Sequence, residues 1–173
     1  MGDTLYIVGQ ALSIVAVILG FICFRMKNAK GVLAFQIIIA FVFAAHYFLI
    51  GAMTAVALNF LGGIKAVFFY LRNKRGWKGL WMPVVFTAMT VMTSLLTWGG
   101  WASSLLMTGL VVNCISMSFS DANKMRWAML IKSPLCLLYN ALVFSTGGII
   151  YECAVLTSSV LGLLRERKAE KAK

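Results

Sequence analysis

Residues 139–165 read YNALVFSTGGIIYECAVLTSSVLGLLR: an apolar segment, the turn Ser145-Thr146-Gly147-Gly148, and a second apolar segment holding a single acid, Glu152. Residues 46–72, HYFLIGAMTAVALNFLGGIKAVFFYLR, follow the same plan. Laid over one another without gaps, at a shift of 93 residues, the two stretches set His46 on Tyr139, Tyr47 on Asn140, Asn59 on Glu152 and Arg72 on Arg165. Identical letters are few (Leu49/Leu142, Val67/Val160, Leu71/Leu164, Arg72/Arg165). The shared feature is the order of parts: apolar span, tight uncharged turn, polar residue near the next start, apolar span, basic stop. That order predicts an internal repeat.

Working outward, the chain of 173 residues is 61% hydrophobic and 12% charged, whereas soluble domains sit near about half apolar and about a quarter charged. Apolar runs of about 20 residues, enough to cross a bilayer core, recur along it. The net charge of +11 would suit nucleic acid if it were spread over a surface. Instead the basic residues gather between apolar spans and at the C-terminus, the pattern of loops that face the cytoplasm and anionic lipid. Nucleic acid is therefore not an expected partner. Cys23, Cys114, Cys136 and Cys153 stand singly inside apolar spans and read as small apolar fillers. One histidine does not build a metal site, so no metal or cofactor is expected. Read as the chain start, Met1-Gly2-Asp3-Thr4 lacks the basic n-region of a cleaved signal, so the first span is expected to stay as an anchor.

Seven spans are expected, at about 5–24, 32–50, 54–71, 80–98, 103–119, 127–144 and 149–164. Arg25, Lys27 and Lys30 follow the first; Arg72, Lys74, Arg75 and Lys78 follow the third. Asp121, Lys124 and Arg126 occupy a loop after the fifth, and a basic tail, Arg165 to Lys173, follows the seventh. The second, fourth and sixth connections carry no Lys or Arg, so the positive-inside rule puts the N-terminus outside and the C-terminus in the cytoplasm. Trp77, Trp81, Trp98, Trp101 and Trp127 fall at or beside span ends, where indoles prefer the headgroup level. The expected fold is thus an all-α membrane protein. Spans one to three and five to seven form two parallel three-helix bundles, with span four as linker restoring the second copy to the orientation of the first.

An ionisable group in hydrocarbon costs at least about 2.5–3.5 kcal/mol, so each asks for a reason. His46, Asn59, Asn140 and Glu152 each lie one to two turns from the outer ends of spans two, three, six and seven, positioned to line one polar chamber. Glu152 reads either as a proton-coupling or solute-binding carboxylate, or as a static partner of Asn140, Tyr139 or His46. Asn59 and Asn140 read as solute contacts or as glue between helices. Lys65 and Lys132, in the inner half, read either as snorkelling lysines or as cations that hold an anionic solute or neutralise Glu152. Asn113 shares a small face of span five with Gly109 and Ser116, and Pro134 predicts a kink in span six. The candidate solute-binding set is Glu152, Asn59, Asn140, His46, Tyr139, Lys65, Lys132 and Asn113.

The run His46-Tyr47-Phe48-Leu49-Ile50-Gly51, and Tyr139-Asn140 with Gly147-Gly148 and Glu152, resembles the YgjV family of bacterial inner-membrane proteins over essentially the whole chain. In architecture that family is similar to the SWEET and PQ-loop group, two three-helix bundles joined by a single helix. The resemblance implies seven helices, a multi-pass location in the inner membrane, and a solute pathway between bundles. The prolines here are Pro83, followed by Val84, and Pro134, followed by Leu135, with no Pro-Gln pair. Two functional expectations follow: a facilitator or proton-coupled carrier of a small polar or anionic metabolite, or a non-transporting receptor or scaffold with a ligand, lipid or partner segment in the same cavity. A homo-oligomer is compatible with both. No span or loop sets a nucleophile beside a base, a metal cluster or a Gly-rich phosphate loop, so an enzyme is not expected.

Overall fold

The computed structural model describes residues 2–25, 29–77, 79–117 and 122–171; Met1, Lys27, Lys78, Asp121 and Lys173, named above, lie outside them. Among the described residues there are seven helices: α1 (Gly2–Arg25), α2 (Ala29–Leu49), α3 (Met53–Arg75), α4 (Trp81–Leu96), α5 (Ala102–Ser116), α6 (Ala122–Leu142) and α7 (Thr146–Lys171). Several helices run further than expected at their basic ends, and α3 takes in Arg72, Lys74 and Arg75. Lys124 and Arg126 belong to the first turns of α6 rather than to a loop, and most of the basic tail continues α7. Arg, Lys, Glu and Ala are good helix formers, so an apolar helix that ends in them has no reason to stop. The fourth element is shorter than its expected span: α4 has 16 residues, about 24 Å at ~1.5 Å per residue. Glycines bound it, Gly79 at φ 129 and Gly100 at φ 106, conformations that glycine adopts without a steric penalty.

Three helices hold segments long and apolar enough to cross a bilayer, Thr4–Cys23, Met53–Arg75 and Thr146–Lys168; Leu33–Leu49, Trp81–Leu96 and Ala102–Ser116 are shorter apolar helices. The distribution of side chains is that of a protein solvated by lipid. Ile7, Ile18, Phe41, Phe60, Leu96, Ile131 and Leu161 point outward, whereas His46, Lys65, Lys132, Asn140 and Glu152 are buried. The five tryptophans are exposed near helix ends.

Sequential helices pack in two triplets, α1 on α2 on α3 and α5 on α6 on α7. The triplets join where α7 meets α1 and where α3 meets α5, and α4 lies against α3 and α5. Tyr47, Phe43, Ile39 and Leu58 of the first triplet pack with Leu106, Cys136 and Tyr139 of the second in one core; Leu33, Leu61, Phe69, Met82, Phe86 and Cys114 form another beneath α4.

The α2–α3 and α6–α7 turns are built alike. In the first, the amide of Ile50 donates to His46 O (3.1 Å), Gly51 to Phe48 O (3.2 Å), Ala52 to Tyr47 O (2.9 Å) and Val56 to Ala52 O (3.1 Å). In the second, Val143 donates to Tyr139 O (3.1 Å), Phe144 to Ala141 O (3.3 Å), Ser145 to Asn140 O (2.9 Å) and Ile149 to Ser145 O (3.0 Å). Every donor and acceptor corresponds at the 93-residue shift. Both are Schellman closures, which place one residue in the left-handed region. That residue is Gly51 (φ 81) in the first and Phe144 (φ 53) in the second.

Candidate functional site

Three polar clusters occupy the interior. The first knits the end of the bundle where the uncharged turns lie. Ser145 is the N-cap of α7: its Oγ accepts the Gly148 amide at 3.2 Å. The same oxygen lies 2.7 Å from His46 Nε2, while His46 Nδ1 lies 2.8 Å from the carbonyl of Gly9. A carbonyl only accepts, so Nδ1 carries a hydrogen. In the neutral ring Nε2 then accepts the Ser145 hydroxyl, and each polar atom of the trio is matched. The Phe144 carbonyl takes the Tyr6 hydroxyl (3.0 Å) and the Gln10 amide (2.8 Å), and Gln10 Oε1 accepts the Thr146 amide (3.2 Å). Tyr47 donates to Asn140 Oδ1, a bond between residues that coincide at the 93-residue shift. Tyr139 is buried with its hydroxyl against the backbone of Ala55. Glycine is required where α7 begins. A methyl on Gly147 would lie 2.0 Å from Ser13 Oγ, and one on Gly148 would lie 2.3 Å from Asn140 Oδ1.

The second cluster lies deeper. Lys132, the central residue of α6 (Ala122–Leu142), places Nζ 2.6 Å from Glu152 Oε1 on α7. Both side chains are enclosed. The ammonium also lies 6.0 Å from the centre of the Tyr151 ring, a distance at which the ring face attracts a cation. Glu152 Oε2 is buried without a hydrogen-bond partner, as is Ser133 Oγ next to Lys132. Pro134, inside α6, has no amide hydrogen to give the carbonyl four residues earlier, so the helical ladder is interrupted beside the pair. Gly109 lets α5 approach here, since a methyl would come 2.8 Å from Cys136 Sγ and 3.3 Å from Lys132 O.

The third cluster joins α3, α5 and α4. Buried Lys65 donates to Cys114 Sγ at 3.3 Å. Thr90 Oγ1 lies 3.6 Å from that sulfur and donates to Phe86 O at 2.7 Å. Its hydrogen being committed, the thiol supplies the hydrogen between them. Cys114 is thus more than an apolar filler.

A chain with lipid-facing apolar side chains and an ion pair at its centre invites comparison with membrane families, and the family described as Imp-YgjV, bacterial inner membrane protein, matches residues 7–170. The chain belongs to this family. Its location is therefore the bacterial inner membrane. No curated protein and no solved structure matches it.

In this YgjV-family chain the expected residues separate. Lys132 and Glu152 meet. His46, Asn140 and Tyr139 gather in the turn-end cluster, and none of them hydrogen-bonds that pair. Lys65 stands apart with Cys114. The snorkelling reading of both lysines is overturned, because Lys65 is 2% and Lys132 8% exposed and each bonds an interior partner. Asn59 donates back to Ala55 O of its own helix at 2.9 Å, so its side chain does not join Glu152 as the repeat alignment suggested. Asn113 is half-buried and makes no side-chain hydrogen bond with the pair. Sequence reading missed Ser145, Tyr47, Tyr6 and Gly9 as members of the network. Ser-Thr-Gly-Gly before an apolar run is itself a capping signal, and the Tyr47/Asn140 coincidence was visible in the alignment.

Proposed function

We propose that the protein is a carrier of a small polar or anionic metabolite, built from two like-oriented triplets, α1–α3 and α5–α7, with α4 as linker. The N-terminus is outside and the C-terminus cytoplasmic, as the positive-inside rule requires. Recurrence of the turn hydrogen bonds at one shift, and the Tyr47–Asn140 bond, support the repeat; the axis then passes between those two residues. The observation that carries the carrier reading is the Lys132–Glu152 pair, buried in the middle of α6 with one carboxylate oxygen unmatched. A buried ion pair contributes little net stability and ionisable residues inside membranes mark solute and proton pathways. Protonation of Glu152 releases the Lys132 ammonium, which then holds an anion, so a proton and an anion move together. In this reading the turn-end cluster is the outer gate, and Pro134 lets α6 bend beside the pair. Rocking of one triplet against the other exposes the pair to each side in turn. The protein performs no covalent chemistry.

Flux into proteoliposomes tests this. Small carboxylates, phosphate and sugars are offered with and without an acidic exterior. Wild-type uptake of an anion rises with the gradient; Glu152→Gln loses the gradient dependence and Lys132→Gln loses uptake. Anion flux unchanged in both variants removes the pair from the mechanism. The complete bonding of the turn end favours a second reading, a receptor that holds ligand without passing it; binding without flux for any ligand selects that reading.

A further inference from the structure

The seat of α4 has an uncovered counterpart. On the first triplet, α4 covers the face of α3 that presents Leu61, Phe68 and Phe69: Met82 and Phe86 pack there with Leu33 and Cys114, and the Phe86 ring lies 5.5 Å from that of Phe68 and 6.2 Å from that of Phe69. Shifted by 93 residues, Leu33, Leu61 and Phe69 become Arg126, Ala154 and Gly162, and Cys114 corresponds to Phe21. All four counterparts line one open groove of about 630 Å³ between α1, α6 and α7. No eighth helix covers it among the described residues. Where the first triplet has leucine and phenylalanine, the second has alanine and glycine, and the Arg126 side chain lies over Gly162, its Nε 2.5 Å from where a methyl would stand.

Its lining is graded. Ile150, Phe21 and Leu161 are apolar, Thr157 and Ser158 offer hydroxyls, and Arg126 and Arg165 stand at the basic end. Arg126 donates to Glu166 at 3.0 Å and makes a further contact besides; Arg165 is exposed, makes no ion pair among the described residues, and is the guanidinium that meets an incoming anion. A groove apolar along its length and cationic at the end facing the cytoplasm matches one anionic lipid: acyl chain in the slot, phosphate on the guanidinium fork, for which Arg is the preferred partner. We infer that this groove binds an anionic phospholipid of the inner leaflet in the place that α4 fills on the other triplet. The inference rests on the repeat and orientation proposed above, but not on transport.

The test is native mass spectrometry of the full chain in mild detergent, titrated with phosphatidylglycerol or phosphatidylcholine, alongside melting temperature. Wild type retains one phosphatidylglycerol at least ten-fold more tightly than phosphatidylcholine and melts higher when it is added. Arg126→Gln with Arg165→Gln abolishes that preference; Arg165→Gln alone, at an exposed side chain, weakens it without changing the lipid-free melting temperature. Ala154→Leu with Gly162→Phe, the first triplet's residues, expels both lipids. Equal retention of the two lipids by wild type, or a preference unaffected by the arginine variants, overturns the inference. So does a dimer that the groove-filling pair dissociates, because the occupant is then a second copy. No flux is read, so a silent transport assay leaves this test intact.

Discussion

The α2–α3 and α6–α7 turns share their backbone bonds and differ in what they hold. The first spends its left-handed position on Gly51 and follows it with Ala52, Met53, Thr54 and Ala55; the second has Phe144, then Ser145, Thr146, Gly147 and Gly148. Tyr6 and Gln10 of α1 bond the backbone of Phe144 and Thr146, and the one changed side chain that bonds across is Ser145, to His46 of α2. Both turns are junctions: the first is tied through the Thr54 hydroxyl, which donates to Thr97 O and accepts from Ser103 Oγ at 3.4 Å, the second through its backbone and Ser145. The difference reaches deeper. Ile39 and Asn59 of the first triplet stand where the second has Lys132 and Glu152. The buried ion pair sits in the second triplet, while the first contributes His46, Tyr47 and Lys65 to the polar interior.

Returning each second-triplet residue to its first-triplet counterpart tests that division. The largest effect is expected at the ion pair. Lys132→Ile or Glu152→Asn alone leaves an uncompensated buried charge and costs about 3–5 kcal/mol, whereas the double variant recovers at least half, read as melting temperature in detergent. If the single changes and the pair add simply, the two side chains are not coupled. Next is Gly148→Ala, harmless at the equivalent Ala55 but forced against Asn140 here; overpacking of this kind costs about 1–3 kcal/mol, and a neutral result would show that α6 and α7 are free to part. Ser145→Ala removes a helix cap and the His46 partner and is expected to cost about 1 kcal/mol, with faster amide exchange at Gly148 as the local readout. The smallest change, Phe144→Gly, relieves a left-handed aromatic and should stabilise by up to about 1 kcal/mol. A loss instead would mean that the exposed ring contributes more than its backbone strain.

Much of this was legible in the letters. Apolar runs and uncharged turns gave the turn-side ends of the helices closely, because hydropathy and glycine act locally, but not the basic ends, where α6 begins at Ala122 and α7 runs on to Lys171. The ionisable interior residues were visible as misfits in apolar spans. Their pairing was not. Lys132 and Glu152 lie at unequal distances from the turn, 12 residues before and 8 after Phe144, an offset of about 6 Å along the helices that the length of a lysine side chain bridges. Lys65 was equally hidden, since its partner Cys114 lies on a helix 49 positions on and a thiol in an apolar span gives no polar signal. Asn59 shows the opposite failure: it stands opposite Glu152 at the 93-residue shift, but its short amide reaches its own helix backbone first.

The Tyr47–Asn140 bond has a consequence for the origin of such a chain. In a homodimer, a side chain on the two-fold axis faces its own twin, and the two must share one chemistry. Joined in one polypeptide, the opposing positions are released from that identity, and here one became a phenol that donates and the other an amide oxygen that accepts. Severed halves would therefore select each other in preference to pairing with themselves.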